Sequence, residues 1–405
     1  MKRAAAVFEP RNVPLLQVRL APAARPAGEP RRVLHLLSTL QRGGTEMALL
    51  RLLPRMDPAA WTFRVAWLHG PGDLAAEFEQ VCGAPPQPFG LRFKADLAVL
   101  PRLVGWMRRE RIDLIQTHMD LADYYGAAAA RLLGVRLVSI RQNADEFRTR
   151  RTWKRPPFLL LEHLSYAAAD AVIAVSDGLV EFLARAEGLP RHKTVVIPNG
   201  VDPTIAMRAP HREAARRSLQ LPAAIPLIGA VGRLAEQKGH RDLLRALPDI
   251  RAEFPAAQVV IAGEGPERQH LEAEVLRLGV GDAVRFLGHR GDVAALLAAI
   301  DLFAFPSLWE GMPMALLEAM AMAKPLVAAR GVGVDDLVTD GVHGLLVAPR
   351  DPAGLAAAAR RLLRDPQAAA GLGEAARRRV LDRYTLGRIA ADVDRLYRRV
   401  LREGR

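Results

Sequence analysis

Residues Asp301 to Ala323 read DLFAFPSLWEGMPMALLEAMAMA, and the order of residue types in this stretch decides the fold class. Leu302 to Phe305 has the composition of a buried strand and runs into a Pro-Ser turn. A second apolar run follows Pro313, and proline is tolerated at the first helical position. A strand–turn–helix unit is therefore predicted. Gly311 lets a ligand approach the backbone closely. The N–H groups of Met314 and Ala315 lack intrahelical acceptors and would point at an anion, a natural seat for a diphosphate. Glu310 precedes this helix, and Glu318 lies about five residues into it, roughly 7 Å along the axis. Two carboxylates thus flank a phosphate seat. Carboxylates accept hydrogen bonds from sugar hydroxyls, so one end suits a hexose and the other a ribose. The plainer alternative is an acidic cap followed by an ordinary helix glutamate. Glu318 stands in the apolar run LLEAMAMA, where an unpaired carboxylate is expensive to bury, and this favours function.

Outward from this stretch the same alternation recurs. In the first half RRVLHLLST, FRVAWLH, DLIQTH, RLVSIRQ, DAVIAVS and TVVIPNG are strand candidates separated by helical segments. In the second half PLIGAVGRL, AQVVIAGEG, AVRFLGHR, DLFAFPS, PLVAAR and GLLVAP repeat the pattern. Strands alternating with helices signal βαβ units and parallel sheets. The chain of 405 residues is too long for one ordinary core. The expectation is an α/β protein: a tail over 1–30, one domain over 31–205, a second over 206–382, and a terminal helix over 383–405.

Composition narrows the setting. No apolar run is long enough for a membrane-spanning helix, and the N-terminus is interrupted by Glu9, Pro10, Arg11 and Arg19, unlike a signal peptide. One cysteine, Cys82, excludes an internal disulfide and a CxxC metal site, and fits a reducing cytoplasm. The net charge is +13, and residues 1–200 carry 28 Lys and Arg against 19 Asp and Glu, so most of the excess lies in the first half. Arg136 to Arg155 holds seven basic residues against two acidic ones, with Phe147 and Trp153 interleaved. Such a stretch suits an anionic acceptor or a membrane interface, and equally an exposed loop.

The segment WEGMPMALLEAMA resembles the E-x7-E signature of retaining, family-four-type glycosyltransferases, the group 1 glycosyl transferases, which have the GT-B fold. Gly43-Gly44-Thr45-Glu46 resembles the glycine loop after the first strand. ADAVIAVS at 169–176 and IPNGVD at 197–202 resemble the end of the family's N-terminal domain. GRL at 232–234, QKG at 237–239, GEGP at 263–266 and the 340–347 segment resemble its donor domain. The resemblance implies two Rossmann-like domains facing across a cleft, with the last helix crossing back to the first domain. It implies that Glu310 contacts the transferred sugar, that Glu318 holds the ribose hydroxyls, and that Arg233 and Lys238 neutralise the diphosphate. Fixed cations are the right groups there, because negative charge develops on the leaving group. It places the base near Gly288, His289 and Arg290, and makes His118 a catalytic-site residue contacting the sugar.

The implied reaction moves a hexose-type sugar from a nucleotide-sugar, with UDP favoured, to a hydroxyl of a lipid-linked, polysaccharide or small-molecule acceptor. The nucleotide-sugar is a substrate, and no cofactor or metal is expected. The only Asp-x-Asp is Asp392–Asp394 in the terminal helix, where side chains two apart diverge by about 200°. Gly43 and Gly44 are read either as a tight turn or as the loop approaching donor and acceptor. His118 ends a strand at a carboxyl edge, where ligands of open α/β sheets bind. Arg141 and Asn143, after the next strand, are expected to contact the acceptor. The expected location is the cytoplasm, with peripheral attachment to an anionic inner membrane face compatible with the basic excess. A UDP-sugar epimerase of the same architecture and a basic nucleic-acid-binding protein are the alternatives. Against the latter, the basic residues are dispersed and no zinc-finger or RNP-like pattern accompanies them, so no nucleic-acid partner is expected.

Overall fold

A computed structural model describes residues 29–119, 121–144 and 155–402. Residues 1–28 of the expected 1–30 tail, Asp120, the 145–154 stretch with Phe147 and Trp153, and 403–405 lie outside the described residues.

The first half contributes β1 (Arg31–Leu37), β2 (Trp61–Trp67), β3 (Gln87–Pro88), β4 (Leu114–His118), β5 (Arg136–Arg141), β6 (Ala171–Ala174) and β7 (Thr194–Val196). They form one sheet in the order β3-β2-β1-β4-β5-β6-β7, with every pairing parallel. The second half contributes β8 (Leu227–Val231), β9 (Gln258–Ala262), β10 (Val284–Phe286), β11 (Leu302–Phe305), β12 (Leu326–Ala329) and β13 (Leu345–Val347). Their order is β10-β9-β8-β11-β12-β13, again parallel. Each sheet starts in its middle, winds outward one way, then returns to wind the other way. That is the doubly wound arrangement, and it leaves a crevice at the carboxyl ends where the strand order reverses. Parallel strands are covered by helices on both faces, which is why the runs are continuously apolar. Val33, Leu34 and Leu36 of β1, and Leu227 and Ile228 of β8, are fully buried.

Each of the twelve apolar runs quoted above is a strand. The exception is β3, two residues at the sheet edge with Pro88, whose ring removes a ladder donor and which has no apolar run to mark it.

The chain crosses between the halves twice, side by side. Val201 N donates to Tyr384 O at 2.8 Å, and Leu386 N donates to Val201 O at 3.0 Å. Gly200 is needed there, since a Cβ would lie 3.1 Å from the Leu386 Cα and 2.9 Å from Ile389 Cγ1. The helix Leu386–Arg402 then packs on the first half, burying Ile389, Val393, Leu396 and Val400. Trp61 Nε1 donates to Asp394 Oδ1 at 2.7 Å, and Asp392 pairs with Arg395. Tyr397 Oη donates to Gln116 Oε1 of β4 at 2.5 Å, with both residues buried.

Tyr397→Phe leaves the Gln116 oxygen without its donor, and a buried acceptor stripped of its partner costs about 1–3 kcal/mol. The expected outcome is a lower thermal midpoint with unchanged secondary structure by circular dichroism. An unshifted midpoint would show that this bond does not anchor the helix.

Candidate functional site

The loops after β8 and β11 meet at the second sheet's reversal point. Gly239 has φ +62°, and a Cβ there would lie 2.0 Å from Pro306 O, so only glycine lets the β8 loop press onto the β11 loop. Leu308 N donates to Gln237 O at 2.7 Å, and Gln237 Nε2 donates to Trp309 O at 2.8 Å. This packing carries Lys238 to Glu310, with Nζ 2.5 Å from Oε1. The Lys238 ammonium also lies 5.7 Å from the centre of the Phe305 ring. Glu310 is 6% exposed, so its carboxylate is desolvated against a single cation. Arg233 stands on the same loop, is exposed, and forms no ion pair among the described residues.

Pro313 is the cap of the next helix, with extended ψ of 119°, and Met314 is its first residue, one later than expected. Met314 and Ala315 therefore supply its first free N–H groups. Glu318, 5% exposed, is met from the other half of the molecule: Arg51 NH1 of the helix Gly44–Leu52 lies 2.5 Å from Glu318 Oε1. Sequence reasoning missed Arg51, which stands 267 positions away with no local signal.

Gly311 plays a different part from the one its place suggested. The backbone that approaches it belongs to the protein: a Cβ would lie 2.1 Å from Gln142 O and 3.0 Å from Asn143 N. The two halves also join where Asn199 Nδ2 donates to Met312 O at 3.0 Å and Gly178 N donates to Asp336 Oδ1 at 3.2 Å.

On the first half, Gly43 caps its helix, and a Cβ there would meet Glu46 Oε2 at 2.6 Å, whereas Gly44 faces open space. Burial raises the Glu46 carboxyl above its ordinary range. Gly288 has φ +70°, and its carbonyl accepts from Gly263 N at 2.8 Å. His118 ends β4, only 5% exposed, with Nε2 3.1 Å from Nδ1 of His35. A cavity of about 40 Å³ is lined by His118, Gln116, Gln142 and Asn199 among others, and Glu310 and Glu318 are not part of its wall. Asn143 is half-buried beside Gly311, its Oδ1 buried without a hydrogen-bond partner among the described residues.

The expected acceptor contact by Arg141 is corrected by the structure. Arg141 is 1% exposed, with NH1 2.8 Å from Asp123 Oδ2, NH2 2.5 Å from Glu162 Oε2, and its guanidinium over Tyr166. Both carboxylates come from flanking helices that turn the cation inward. Arg141 braces the end of β5 and does not face the gap.

The profile for Glycosyltransferase Family 4 matches residues 42–205, and that for Glycosyl transferases group 1 matches residues 225–365, one on each sheet. A glycogen synthase of Mycobacterium tuberculosis is 30% identical, over 83% of this chain and 82% of its own. The chain belongs to the group 1, family 4 glycosyltransferases. A D-inositol 3-phosphate glycosyltransferase of Salinispora tropica is 31% identical, over 84% of this chain and 80% of that protein. The structure of Anabaena HepE in complex with UDP-glucose matches with a TM-score of 0.79 at 25% identity, covering 90% of this chain and 99% of that one. The fold is GT-B, as the sequence led one to expect. The protein is a glycosyltransferase, and the epimerase alternative finds no support among its relatives.

Three histidines of this glycosyltransferase are buried and held neutral. Burial pushes His118 down to about 3; it pushes His240 down to about 4, helped by the Lys238 charge; and His35 falls well below its ordinary 6.5. Below pH 6.5 the unfolded chain binds protons that the folded chain refuses. Stability is therefore complete above that pH and falls as acid is added, at up to about 1.4 kcal/mol per pH unit for each histidine. Thermal midpoints at pH 7.5 and 5.5 should differ, with proton uptake on unfolding at the lower pH by calorimetry in buffers of different ionisation enthalpy. Equal midpoints and no uptake would contradict the neutral assignment.

Proposed function

We propose that this enzyme transfers a hexose-type sugar from UDP-sugar to an acceptor hydroxyl with retention of configuration and without a metal. The observation that carries the reading is the pair of desolvated carboxylates, Glu310 and Glu318, on either side of one helix start, each with a cation in contact. Glu310 grips the transferred sugar and Glu318 the ribose hydroxyls. The diphosphate rests on the first N–H groups of the helix at Met314 and Ala315, opposite Arg233 and Lys238. Gly311 seats that helix against the first domain. Gly44, with open space before it, leaves room for the donor beside Gly43, and the turn at Gly288 lies toward the base. His118 contacts the sugar, and Asn143 faces the acceptor. HepE was solved with UDP and with UDP-glucose, which supports UDP as the nucleotide.

The bond from the anomeric carbon to the phosphate oxygen breaks while the acceptor oxygen attaches on the same face. The acceptor hydroxyl proton passes to the departing phosphate oxygen. Lys238 and Arg233 stabilise the charge that grows on that leaving group. Closure of the halves excludes water and protects the donor from hydrolysis. Because protein cations perform the neutralisation, the scheme assigns no step to a metal or cofactor.

Lys238→Ala is expected to lower turnover about 100- to 1,000-fold. Glu318→Ala is expected to weaken UDP binding at least tenfold by calorimetry. Full transfer by either variant would sink the site. Thermal shifts with UDP-, GDP- and ADP-sugars identify the nucleotide, and proton NMR of the product reads the anomeric configuration.

The acceptor is proposed to be lipid-linked or polymeric, reached from the cytoplasmic face of an anionic membrane. The helix Arg155–Ala168 exposes Leu160, Leu161 and Leu164, at 61%, 43% and 53%, on one face. The sequence before it is rich in arginine, with Arg148, Arg150 and Arg151. No helix among the described residues is long and apolar enough to cross a membrane. The enzyme should co-sediment with vesicles containing phosphatidylglycerol and stay free of phosphatidylcholine vesicles, and Leu160→Gln with Leu164→Gln should lose the binding. Equal partition between the two vesicle types would remove the membrane from the scheme.

A further inference from the structure

We propose that His35 is a positioning residue that fixes the proton of His118, so that His118 offers an N–H from Nδ1 to its ligand. The inference rests on the reading of His118 as a sugar-contacting group.

The argument begins with the sheet. β1 and β4 are parallel neighbours, with His35 opposite Gln116 and Leu37 opposite His118. Opposed residues on paired strands share a face, and so do residues two apart, so His35, Gln116 and His118 lie on one face. Tyr397 satisfies Gln116 from the terminal helix. His35 and His118 are left to satisfy each other: His35 Nδ1 lies 3.1 Å from His118 Nε2, while His35 Nε2 and His118 Nδ1 are buried without partners among the described residues. The Phe63 ring, its centre 5.6 Å from that of His35, packs beside it.

A neutral imidazole carries one N–H, so the contact between the rings uses a single proton. In one arrangement His118 Nε2–H donates to His35 Nδ1. The proton of His35 then sits on its Nε2 as a buried donor with nothing to accept it. In the other, His35 Nδ1–H donates to His118 Nε2. His35 Nε2 is then a bare lone pair, and the proton of His118 sits on Nδ1. Each arrangement leaves one buried N–H without a protein acceptor among the described residues, and the two differ in where it lies. His118 lines the cavity of about 40 Å³ and His35 does not, so only a proton on His118 can meet an acceptor brought by a ligand, which favours the second arrangement. His118 Nδ1 is left as an unpaired donor, suited to a sugar oxygen rather than to a hydroxyl hydrogen.

The tautomer is directly readable. Long-range proton–nitrogen correlation on 15N-histidine-labelled enzyme at pH 7.5 is expected to show His118 protonated at Nδ1. His35→Phe, which keeps a ring beside Phe63 but no nitrogen, should lose that signature. The same change should lower kcat about 10- to 100-fold, the range seen when a partner that orients a functional histidine is removed, with the donor KM nearly unchanged. His35→Asn, whose amide can donate from a similar place, should recover both the signature and much of the rate. Wild-type His118 protonated at Nε2, or unchanged kcat in His35→Phe, would overturn the proposal. If His35→Phe does not fold, the wild-type spectrum alone decides the tautomer. Transfer that survives His118→Ala would instead remove His118 from the reaction. That is a failure of the functional reading, and the spectrum would still decide whether His35 fixes the proton.

Discussion

A carboxylate taken out of water must be given a cation, and this requirement shapes the molecule on both sides of its cleft. Glu310 and Glu318 are each more than nine-tenths buried, and each has one positive partner in contact. The partners come by different routes. Lys238 reaches Glu310 because two loops of one sheet are pressed together at Gly239. Arg51 reaches Glu318 because the two halves of the protein touch. Leaving either acid group alone would cost several kcal/mol, so the arrangement of loops and domains is held in part by the site it serves.

The close approaches that bring these groups together run through glycine. Gly239 against Pro306, Gly311 against Gln142, and Gly333 against the Gly311 carbonyl each place backbone where a Cβ would lie within about 2 Å of an oxygen. Two of these contacts join loops of the second half to one another, and the one at Gly311 joins the second half to the first. A side chain at Gly311 would push the helix start away from the first domain and pull Glu318 from Arg51. Domain contact and the geometry of the two carboxylates are therefore one constraint. The two crossings at Val201 and Thr385 lie side by side, bridged backbone to backbone.

Much of this was legible in the sequence, for identifiable reasons. Strands buried on both faces are written as unbroken apolar runs, so twelve of them stood out, while β3, at an edge and two residues long, carried no such mark. That Glu310 and Glu318 lie around one helix start was readable from local spacing, because both belong to the strand–turn–helix unit of 301–323, while Lys238 was marked only by the resemblance to the family's pattern. Arg141 misled. Its position at the end of β5 pointed to the cleft, but Asp123 and Glu162, on helices whose packing spacing does not encode, turned it inward. Arg51 was invisible, since its partner lies in the other half. His35 had a faint signal: a polar residue in the middle of the apolar run VLHLL has to find a buried partner.

The charge balance of the cleft bears on how a donor would enter it. Around the helix start stand two acid groups, Glu310 and Glu318; the cations to weigh are three, Lys238 and Arg51 in contact with them and Arg233 on the Lys238 loop. Of these three, only Arg233 has no acidic partner among the described residues. The pairs neutralise one another, so the approach to the site carries one free positive charge together with the positive end of the helix dipole. On the proposed reading, a diphosphate is drawn first to those two features. Its ribose would then reach Glu318 only by sharing or displacing Arg51, a residue of the opposite domain. That reading ties nucleotide binding to the domain contact through a single carboxylate.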